Sequence, residues 1–388
     1  MKYKSLSVLS LLMVLATACS KDAVKIPKEV RLDVSDIVAT VDIHSSDQKS
    51  FLESADPVTY IDNNISDFGH SSNSAPSPVT FFWEEANDLN QKANKYVLSI
   101  SENVDMSDSL EYSTKKLSFD VFNLKLKTRY YYQIKSIHSG KSFLSSIKEF
   151  TIDSYAPRNI YVDGVENVRD LGGWNIGENK IFKQGMIYRT SQFNYGGVNT
   201  FVSSPSKEGK NSLLNELKIK TDIDLRRNSD FDGYDEVNGI TSSPLGKNVK
   251  YVSAPMQYGN SNIFTSSRNK NSIKTFFNTL ANEDNYPVAF HCVRGTDRTG
   301  ALAYVIGALV GMSSEDLIKD YLFSDFANIG DPVRYSTISG EDFYVQGIAN
   351  SEGANLSEKT KNYLHNTVGV EISTLEAIKD ILVEEMTY

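Results

Sequence analysis

A cysteine and an arginine separated by five residues constrain this chain more than any other feature: the run HCVRGTDRTG at 291–300 contains Cys292 and Arg298 with a glycine between them. An apolar run at 286–290 precedes it, and an Ala/Leu-rich run at 301–310 follows it. This pattern predicts a buried strand, a tight loop and a helix. The backbone N–H groups of such a loop and the N-terminus of the helix point into one small bowl, which suits a tetrahedral dianion.

The side chains of this loop carry complementary chemistry. A bowl of this kind favours the thiolate form of a cysteine at its centre, so Cys292 is the candidate nucleophile. Arg298 can donate two parallel hydrogen bonds to phosphate oxygens. Thr299 can donate a hydrogen bond to the thiolate, and His291 is expected to orient the loop through its backbone. The phosphate would be bound by the loop residues Val293, Arg294, Gly295, Thr296, Asp297 and Arg298. We expect no metal and no cofactor.

The composition indicates a folded protein of about two domains. The 388 residues include 21 Tyr and 19 Phe, which is ample for packed cores. The formal net charge is −9 and no run of basic residues stands out, so we expect no nucleic-acid partner. The two cysteines, Cys19 and Cys292, lie in different contexts. We therefore expect no disulfide between them.

The N-terminus has the pattern of an export signal. Residues 1–18 combine two early lysines with a short apolar run that is too short for a stable membrane span. The ending LATAC at 15–19 resembles a bacterial lipoprotein processing site. That resemblance implies a lipid on Cys19, a polar tether at 19–30, and a cell-envelope location facing the periplasm or the cell surface. An ordinary signal peptide cut near Ala18 is the alternative.

Residues 31–152 are predicted to form a β-sandwich. Short runs rich in β-branched and aromatic residues recur at 79–83, 96–100, 117–121, 128–136 and 147–152. A further strand is expected at 58–61. The pattern from Leu124 to Tyr132, followed by Ser-Gly and then Glu149-Phe150-Thr151, resembles the last strands of a fibronectin type III domain, most clearly over 75–152. The aromatic residues are expected to pack in the core.

From residue 158 to 388 strand and helix signals alternate, after a short linker at 153–157. Strands are expected at 160–162, 181–189 and 221–226, and helices at 213–217, 272–280, 314–323 and 370–385. This order predicts an α/β domain with a central, mostly parallel sheet and helices on both faces. Ligands of such sheets bind at the C-terminal ends of the strands, which is where Cys292 falls.

Further motifs accompany the loop: NVRDLGG at 167–173, IYRTS at 187–191, DIDLR at 222–226 and DYLFS at 320–324. In this order, over about 158–330, they resemble the bacterial tyrosine-protein phosphatase family. The resemblance implies a cysteine-phosphatase fold and hydrolysis of phosphotyrosine through a phosphocysteine intermediate. Some members of that family also accept phosphoserine, phosphothreonine or phosphoinositides. Thr296 stands where the family commonly has lysine, which weakens the expectation of phosphoinositide activity.

A phosphatase of this kind needs a general acid to protonate the leaving oxygen. Many tyrosine phosphatases carry it in a Trp-Pro-Asp triplet, and this sequence has none. The family resemblance implies Asp297 as the acid, with Asp224 as a competing candidate and Asp170 as a third. Structural ion pairs are an equally good interpretation of Asp170 and of Arg226.

Two other functions stay open at this point. A phosphoinositide or inositol phosphate phosphatase would use the same chemistry on another substrate class. A surface binding protein would use the sandwich and keep the phosphatase region only as an inactive scaffold, although the intact Cys, Arg and Thr of the loop argue against it. The expected partners are a phosphotyrosine-containing protein or a small phosphomonoester, and a membrane through the lipid.

Overall fold

The computed structural model describes residues 25–64, 75–177, 179–195, 201–259, 263–330 and 332–386. The predicted signal peptide, Cys19 and the first part of the tether lie outside these ranges. Within them, no helix combines the length and the apolar character needed to cross a membrane.

The N-terminal region contains two β-sheets. The smaller has the order β1-β3-β6 and is formed by β1 (Val30–Val34), β3 (Val79–Asn87) and β6 (Ser118–Val121). The larger contains β2 (Thr40–Val41), β4 (Lys95–Ser101), β5 (Leu110–Thr114), β7 (Thr128–His138), β8 (Lys141–Leu144) and β9 (Lys148–Ile152). Its order is β2-β9-β7-β4-β5, and β8 pairs with β7.

Aromatic side chains join the two sheets face to face. Every second residue of β7 is buried, as expected for a strand with one face on a core. The ring of Phe81 in β3 lies 5.0 Å from that of Tyr132 in β7, and Trp83 lies 5.6 Å from Tyr96 in β4. The five predicted strands between residues 79 and 152 are present. The fibronectin type III resemblance stays a prediction.

The strand expected at 58–61 is wrong. This stretch lies in helix α2 (Pro57–Asn64), which follows helix α1 (Ser46–Glu53). Ser45 caps α1, because its hydroxyl accepts from the Gln48 N–H while the Gln48 side chain accepts from the Ser45 N–H. A short apolar run does not distinguish a strand from one side of a helix. The start of α2 is marked instead by Pro57 and by Asp56, whose side chain accepts from the Thr59 N–H at 3.0 Å.

The C-terminal region contains a six-stranded sheet with the order β10-β11-β13-β16-β14-β15. Its strands are β10 (Arg158–Asn159), β11 (Arg169–Asp170), β13 (Ile187–Thr190), β14 (Thr221–Asp224), β15 (Lys250–Ser253) and β16 (Val288–His291). The last four in the order are parallel, and β10 and β11 are antiparallel to their neighbours. The prediction of a mostly parallel sheet is confirmed.

Helices cover both faces of this sheet. On one face Phe276 of α5 (Ser267–Leu280) packs 5.2 Å from Phe290 of β16. The neighbouring residue of the strand, Ala289, belongs to a separate cluster with Leu213 and Leu217, which lie in and after the π-helical turn Ser212–Glu216. Adjacent strand residues point to opposite faces, so the two clusters lie on opposite sides. The other helices of this region are α3 (Lys207–Asn211), α4 (Ser229–Asp232), α6 (Asp297–Val310), α7 (Ser314–Leu322), α8 (Tyr344–Ala349), α9 (Leu356–Tyr363) and α10 (Ile372–Leu382).

Several predicted element boundaries need correction. The single strand expected at 181–189 is two strands, β12 (Lys180–Phe182) and β13, separated by a turn. The helix expected at 370–385 ends at Leu382 and continues as β17 (Val383–Glu385), which pairs with β12. The strand expected at 160–162 is β10, two residues earlier. Contacts with residues distant in the sequence set these boundaries, so local sequence patterns do not predict them.

Candidate active site

The Cys-x5-Arg run folds as the sequence predicts, into a strand, a loop and a helix. Strand β16 ends at His291 and α6 begins at Asp297, so the loop lies at the C-terminal edge of the parallel strands. Gly295 has φ +76°, and a Cβ there would lie 2.6 Å from the carbonyl oxygen of Thr190. Only glycine fits this close approach to the neighbouring strand.

Cys292 is a free thiol with 3% exposure. Close to it in the sequence, two polar side-chain atoms are buried and have no hydrogen-bond partner among the described residues. These atoms are the Nε of Arg298 and the Oγ1 of Thr299, both in the first turn of α6. Buried donors are seldom left unpaired, so each of these two atoms calls for a specific explanation. Burial alone would lower the pKa of Arg298, but the Cys292 thiolate and a neighbouring carboxylate raise it.

That carboxylate belongs to Glu236, which binds the outer edge of the arginine. Arg298 donates from Nη1 to Glu236 Oε2 at 2.7 Å and from Nη2 to Oε1 at 3.2 Å. Nη1 also donates to the carbonyl oxygens of Leu225, at 3.3 Å, and Met256, at 3.1 Å. Burial raises the pKa of Glu236, yet Arg298 and Arg227 hold it below its ordinary value. The guanidinium is therefore fixed along its Nη edge.

Sequence reasoning missed Glu236. It is one of four acidic residues in the run DFDGYDE at 230–236, which carries no motif. Its contact with Arg298 spans 62 residues, and nothing in the run singles out one carboxylate. The only available signal was general: a buried catalytic arginine needs an acidic partner.

The motif residues converge on the back of the loop. Asn167 donates to the carbonyl of Arg294 at 3.1 Å, and Arg189 donates to the carbonyl of Gly295 at 2.8 Å. Asp320 accepts from Arg189 at 2.7 Å and from Arg169 at 3.1 Å. The NVRDLGG, IYRTS and DYLFS motifs thus form one buried network that holds two of the loop's carbonyl groups.

The side chain of His291 contacts the backbone of the loop. Its Nδ1 lies 3.1 Å from the carbonyl oxygen of Cys292, and its Nε2 lies 3.1 Å from Oδ1 of Asp222. Ser243 donates to the second oxygen of Asp222 at 2.7 Å. The ring is completely buried, so this chain of contacts fixes its orientation at the start of the loop.

The surroundings of Asp224 do not suit a general acid. Its carboxylate accepts from Arg226 at Nε (2.9 Å) and Nη2 (2.6 Å) and from the hydroxyl of Tyr251 at 3.1 Å. Burial opposes the charge, but Arg226 and His291 lower the pKa of Asp224 to about 2. It therefore holds no proton to donate near neutral pH. Arg226 in turn donates to the backbone and side chain of Asn194, so this pair supports the segment beside the loop.

Asp170 also lies in a structural ion pair. It accepts from Nη1 of Arg158 at 2.9 Å and from the backbone N–H groups of Gly172, at 2.8 Å, and Gly185, at 2.6 Å. It is completely buried, and burial raises its pKa in spite of Arg158. These donors already occupy the carboxylate oxygens of Asp170. Arg169, the adjacent residue, faces Asp320 instead.

Asp297 has a different environment. It is half-buried, opens α6, and accepts from the hydroxyl of Thr296 at 3.4 Å. Burial raises the pKa of Tyr321 and of Tyr344, and the Asp297 charge raises both further, so these two hydroxyls lie in its field. Of the three aspartates considered, Asp297 is the one inside the loop that carries Cys292. Its role as the proton donor stays a prediction.

A buried thiol and a fixed arginine on one loop after a parallel strand define the cysteine-phosphatase class of site. Residues 160–384 match the model of the tyrosine phosphatase family, and the chain belongs to that family. The match extends past the motifs to α8, α9 and α10.

Individual relatives are more distant. A tyrosine-protein phosphatase of Nostoc commune is 26% identical over 132 residues, covering 31% of this chain and 45% of that protein. The match thus spans about half the length of the relative. The core catalytic domain of the PP-IP phosphatase SIW14 from S. cerevisiae, solved with citrate, is 20% identical over 43% of this chain and 80% of that chain, with a TM-score of 0.26. A second structure of the Siw14 catalytic core is 21% identical over 36% and 71%, with a TM-score of 0.24.

Proposed function

We propose that this chain is a protein tyrosine phosphatase that hydrolyses phosphomonoesters through a phosphocysteine intermediate. The observation that carries the proposal is a pair of buried donors, Arg298 Nε and Thr299 Oγ1, which have no hydrogen-bond partner among the described residues and begin the helix directly after the loop of the free Cys292 thiol. Glu236 occupies the Nη edge of the arginine, which leaves Nε for an incoming anion. A phosphate would satisfy this donor, and the thiolate would satisfy the threonine.

In the first step the Cys292 thiolate attacks phosphorus in line with the ester oxygen. A phosphorus–sulfur bond forms, the phosphorus–oxygen ester bond breaks, and Asp297 protonates the departing oxygen. Arg298 and the backbone N–H groups of the loop stabilise the charge on the equatorial oxygens.

In the second step water attacks the phosphocysteine. The Asp297 carboxylate takes the proton from the water, the phosphorus–sulfur bond breaks, and inorganic phosphate is released. Thr299 donates a hydrogen bond to the departing thiolate, which lowers the cost of its charge. No metal takes part in either step of this proposal.

The central experiment is hydrolysis of para-nitrophenyl phosphate by the full chain and by Cys292→Ser. We expect loss of turnover in the variant, unchanged thermal unfolding, inhibition of the parent by vanadate, and no effect of EDTA. Full activity in the variant would contradict the proposal. A panel of phosphotyrosine peptides and inositol phosphates separates tyrosine phosphatase from inositol phosphate phosphatase activity. Absence of turnover on both would favour the binding-protein hypothesis.

We further propose that the protein is exported and tethered to the cell envelope by a lipid on Cys19. The support is the sequence pattern at 1–19. Labelling of cells with a radioactive fatty acid should mark the parent protein and leave Cys19→Ala unlabelled. Equal labelling would contradict the lipid assignment. Substrates would then be phosphorylated proteins or small phosphomonoesters outside the cytoplasmic membrane.

A further inference from the structure

A cavity of about 420 Å³ lies between the two regions of the chain. Its walls include Tyr112 and Tyr130 from the N-terminal region and Arg158, Tyr188 and Glu216 from the C-terminal region. Small ligands bind preferentially in clefts between domains, in pockets of about 300–1,000 Å³. The position and the size of this cavity therefore suit a small ligand.

The cavity is separate from the catalytic loop. Pro287, which lines it, directly precedes β16, whereas Cys292 directly follows the same strand. Lys218, another lining residue, lies shortly before β14, which is parallel to β16. A strand of this length spans about 13 Å. The cavity thus lies at the N-terminal ends of strands whose C-terminal ends form the candidate active site.

The charges around the cavity are close to balance. Three acidic and three basic residues line it, namely Glu102, Asp108, Glu216, Lys125, Arg158 and Lys218. Lys125 is paired with Glu102 at 2.8 Å, and Arg158 donates to Asp170 at 2.9 Å. Burial disfavours the charge of Glu216 and raises its pKa. The walls therefore carry no strong excess of either sign, which disfavours a highly charged ligand.

Three tyrosine hydroxyls at the cavity have a hydrogen to donate. The hydroxyl of Tyr130 accepts from the N–H of Lys125 at 2.8 Å, and that of Tyr188 accepts from Arg158. In the part of the chain that the structure describes, neither of them finds an acceptor, and the hydroxyl of Tyr112 has no hydrogen-bond partner. Burial raises the pKa of all three, so they stay protonated near neutral pH. The cavity thus combines free donors with the carboxylate acceptor of Glu216.

We propose that this cavity is a binding site for a neutral saccharide, independent of the proposed phosphatase function. The hydroxyl groups of a sugar both donate and accept, so one sugar ring satisfies tyrosine hydroxyls and a carboxylate together. Its apolar C–H face suits the aromatic part of the wall, to which Phe122 also belongs. An anion would face Asp108 and Glu216, and a cation would face Arg158 and Lys218.

Sugars that differ in charge separate the classes of ligand. Glucose, galactose and N-acetylglucosamine are neutral, glucuronate is an anion, and glucosamine is a cation at slightly acidic pH. Their binding to the full chain is titrated by saturation-transfer difference NMR. Tyr112→Phe removes one donor and keeps the ring. Asn103→Trp fills the cavity from an exposed position on its rim. The matched control is Tyr131→Phe, because Tyr131 is half-buried in β7 and does not line the cavity.

We expect at least one neutral sugar to bind, and both charged sugars to bind more weakly. Tyr112→Phe should weaken that neutral sugar about two- to tenfold, the value of one hydrogen bond between uncharged groups. Asn103→Trp should weaken it about tenfold or more by occupying the space, while Tyr131→Phe and Cys292→Ser leave it unchanged. Thermal unfolding checks that each variant is folded.

Four results would overturn the inference. If no neutral sugar binds, the cavity holds only water. Tighter binding of glucuronate or glucosamine would assign the cavity to an ionic ligand. Unchanged binding in both Tyr112→Phe and Asn103→Trp would place the sugar elsewhere on the chain. Competition between the sugar and inorganic phosphate would place it at the catalytic loop.

Discussion

Replacing Glu236 by glutamine tests whether the arginine of the loop must be held from behind. The carboxylate accepts two charge-assisted hydrogen bonds from Arg298, at 2.7 and 3.2 Å, and two from Arg227, from its backbone N–H at 2.7 Å and from its Nε at 3.3 Å. Glutamine keeps the shape and one acceptor. Its amide N–H groups would face either the second guanidinium nitrogen or the N–H of Arg227, where they cannot accept.

The loss follows from the number of bonds changed. A hydrogen bond to a charged group contributes about 1.5–3 kcal/mol, and the variant loses one of them while leaving a buried cation less well paired. If the freed arginine must be reoriented in the transition state, kcat/KM should fall roughly ten- to 150-fold. We expect most of the loss in kcat, because the anion itself still attracts the guanidinium in the ground state.

The assay is steady-state hydrolysis of an aryl phosphate across pH, with thermal unfolding of each protein. The matched control is Asp232→Asn, since Asp232 lies 3.5 Å from Nη1 of Arg227 and has no hydrogen bond or ion pair to Arg298 among the described residues. Arg298 lowers the pKa of Glu236, so the difference from the parent should persist at neutral pH and shrink only as the pH falls through that lowered value. An unchanged kcat/KM in Glu236→Gln would refute the positioning role.

Two further predictions concern other carboxyl groups. Asp297→Asn should depress turnover more for phenyl phosphate than for para-nitrophenyl phosphate, because the poorer leaving group needs the proton more; equal losses on both esters would reject Asp297 as the acid. Burial raises the pKa of Asp325 to about 7, and its Oδ2 has no partner among the described residues. The folded chain therefore binds this proton more tightly than the unfolded chain, and stability is lost as the pH rises from about 4 to 7. Asp325→Asn should raise the unfolding temperature at pH 8 and have little effect near pH 4, as measured by thermal unfolding; the opposite trend would contradict this.

The loop was predictable because its determinants are local. A strand, a glycine with positive φ and a helix start are all encoded within 286–310. Glu236 was not predictable, because its role depends on a chain crossing that brings residue 236 to residue 298. Asp224 falls between these cases. Residues two apart in an extended segment share a face, so the spacing of Asp224 and Arg226 allowed an ion pair, but the sequence left this open beside the general-acid role.

The two helices of the N-terminal region were also not predictable from local sequence, because their packing partners lie far away in the chain. The composition of 31–75 did not reveal α1 and α2, whose core residue Phe51 packs 5.5 Å from Phe326 and 6.4 Å from Phe323. Phe323 lies within the DYLFS motif and Phe326 follows it, about 270 residues later in the chain than Phe51. A short amphipathic helix is stabilised mainly by its packing surface, and this surface belongs to the other region.

The two regions are coupled at a motif of the active site. Arg158 donates to the carbonyl oxygens of Asn123 and, at 3.2 Å, Leu124 in the N-terminal region, and to Asp170 at 2.9 Å. Asn123 in turn bonds the backbone N–H and carbonyl of Tyr161 at 2.7 and 2.9 Å. Asp170 belongs to the motif whose neighbouring arginine binds Asp320 behind the loop. Because a buried ion pair needs all of its partners to repay its desolvation, the N-terminal region completes the environment of strand β11 and is more than a spacer.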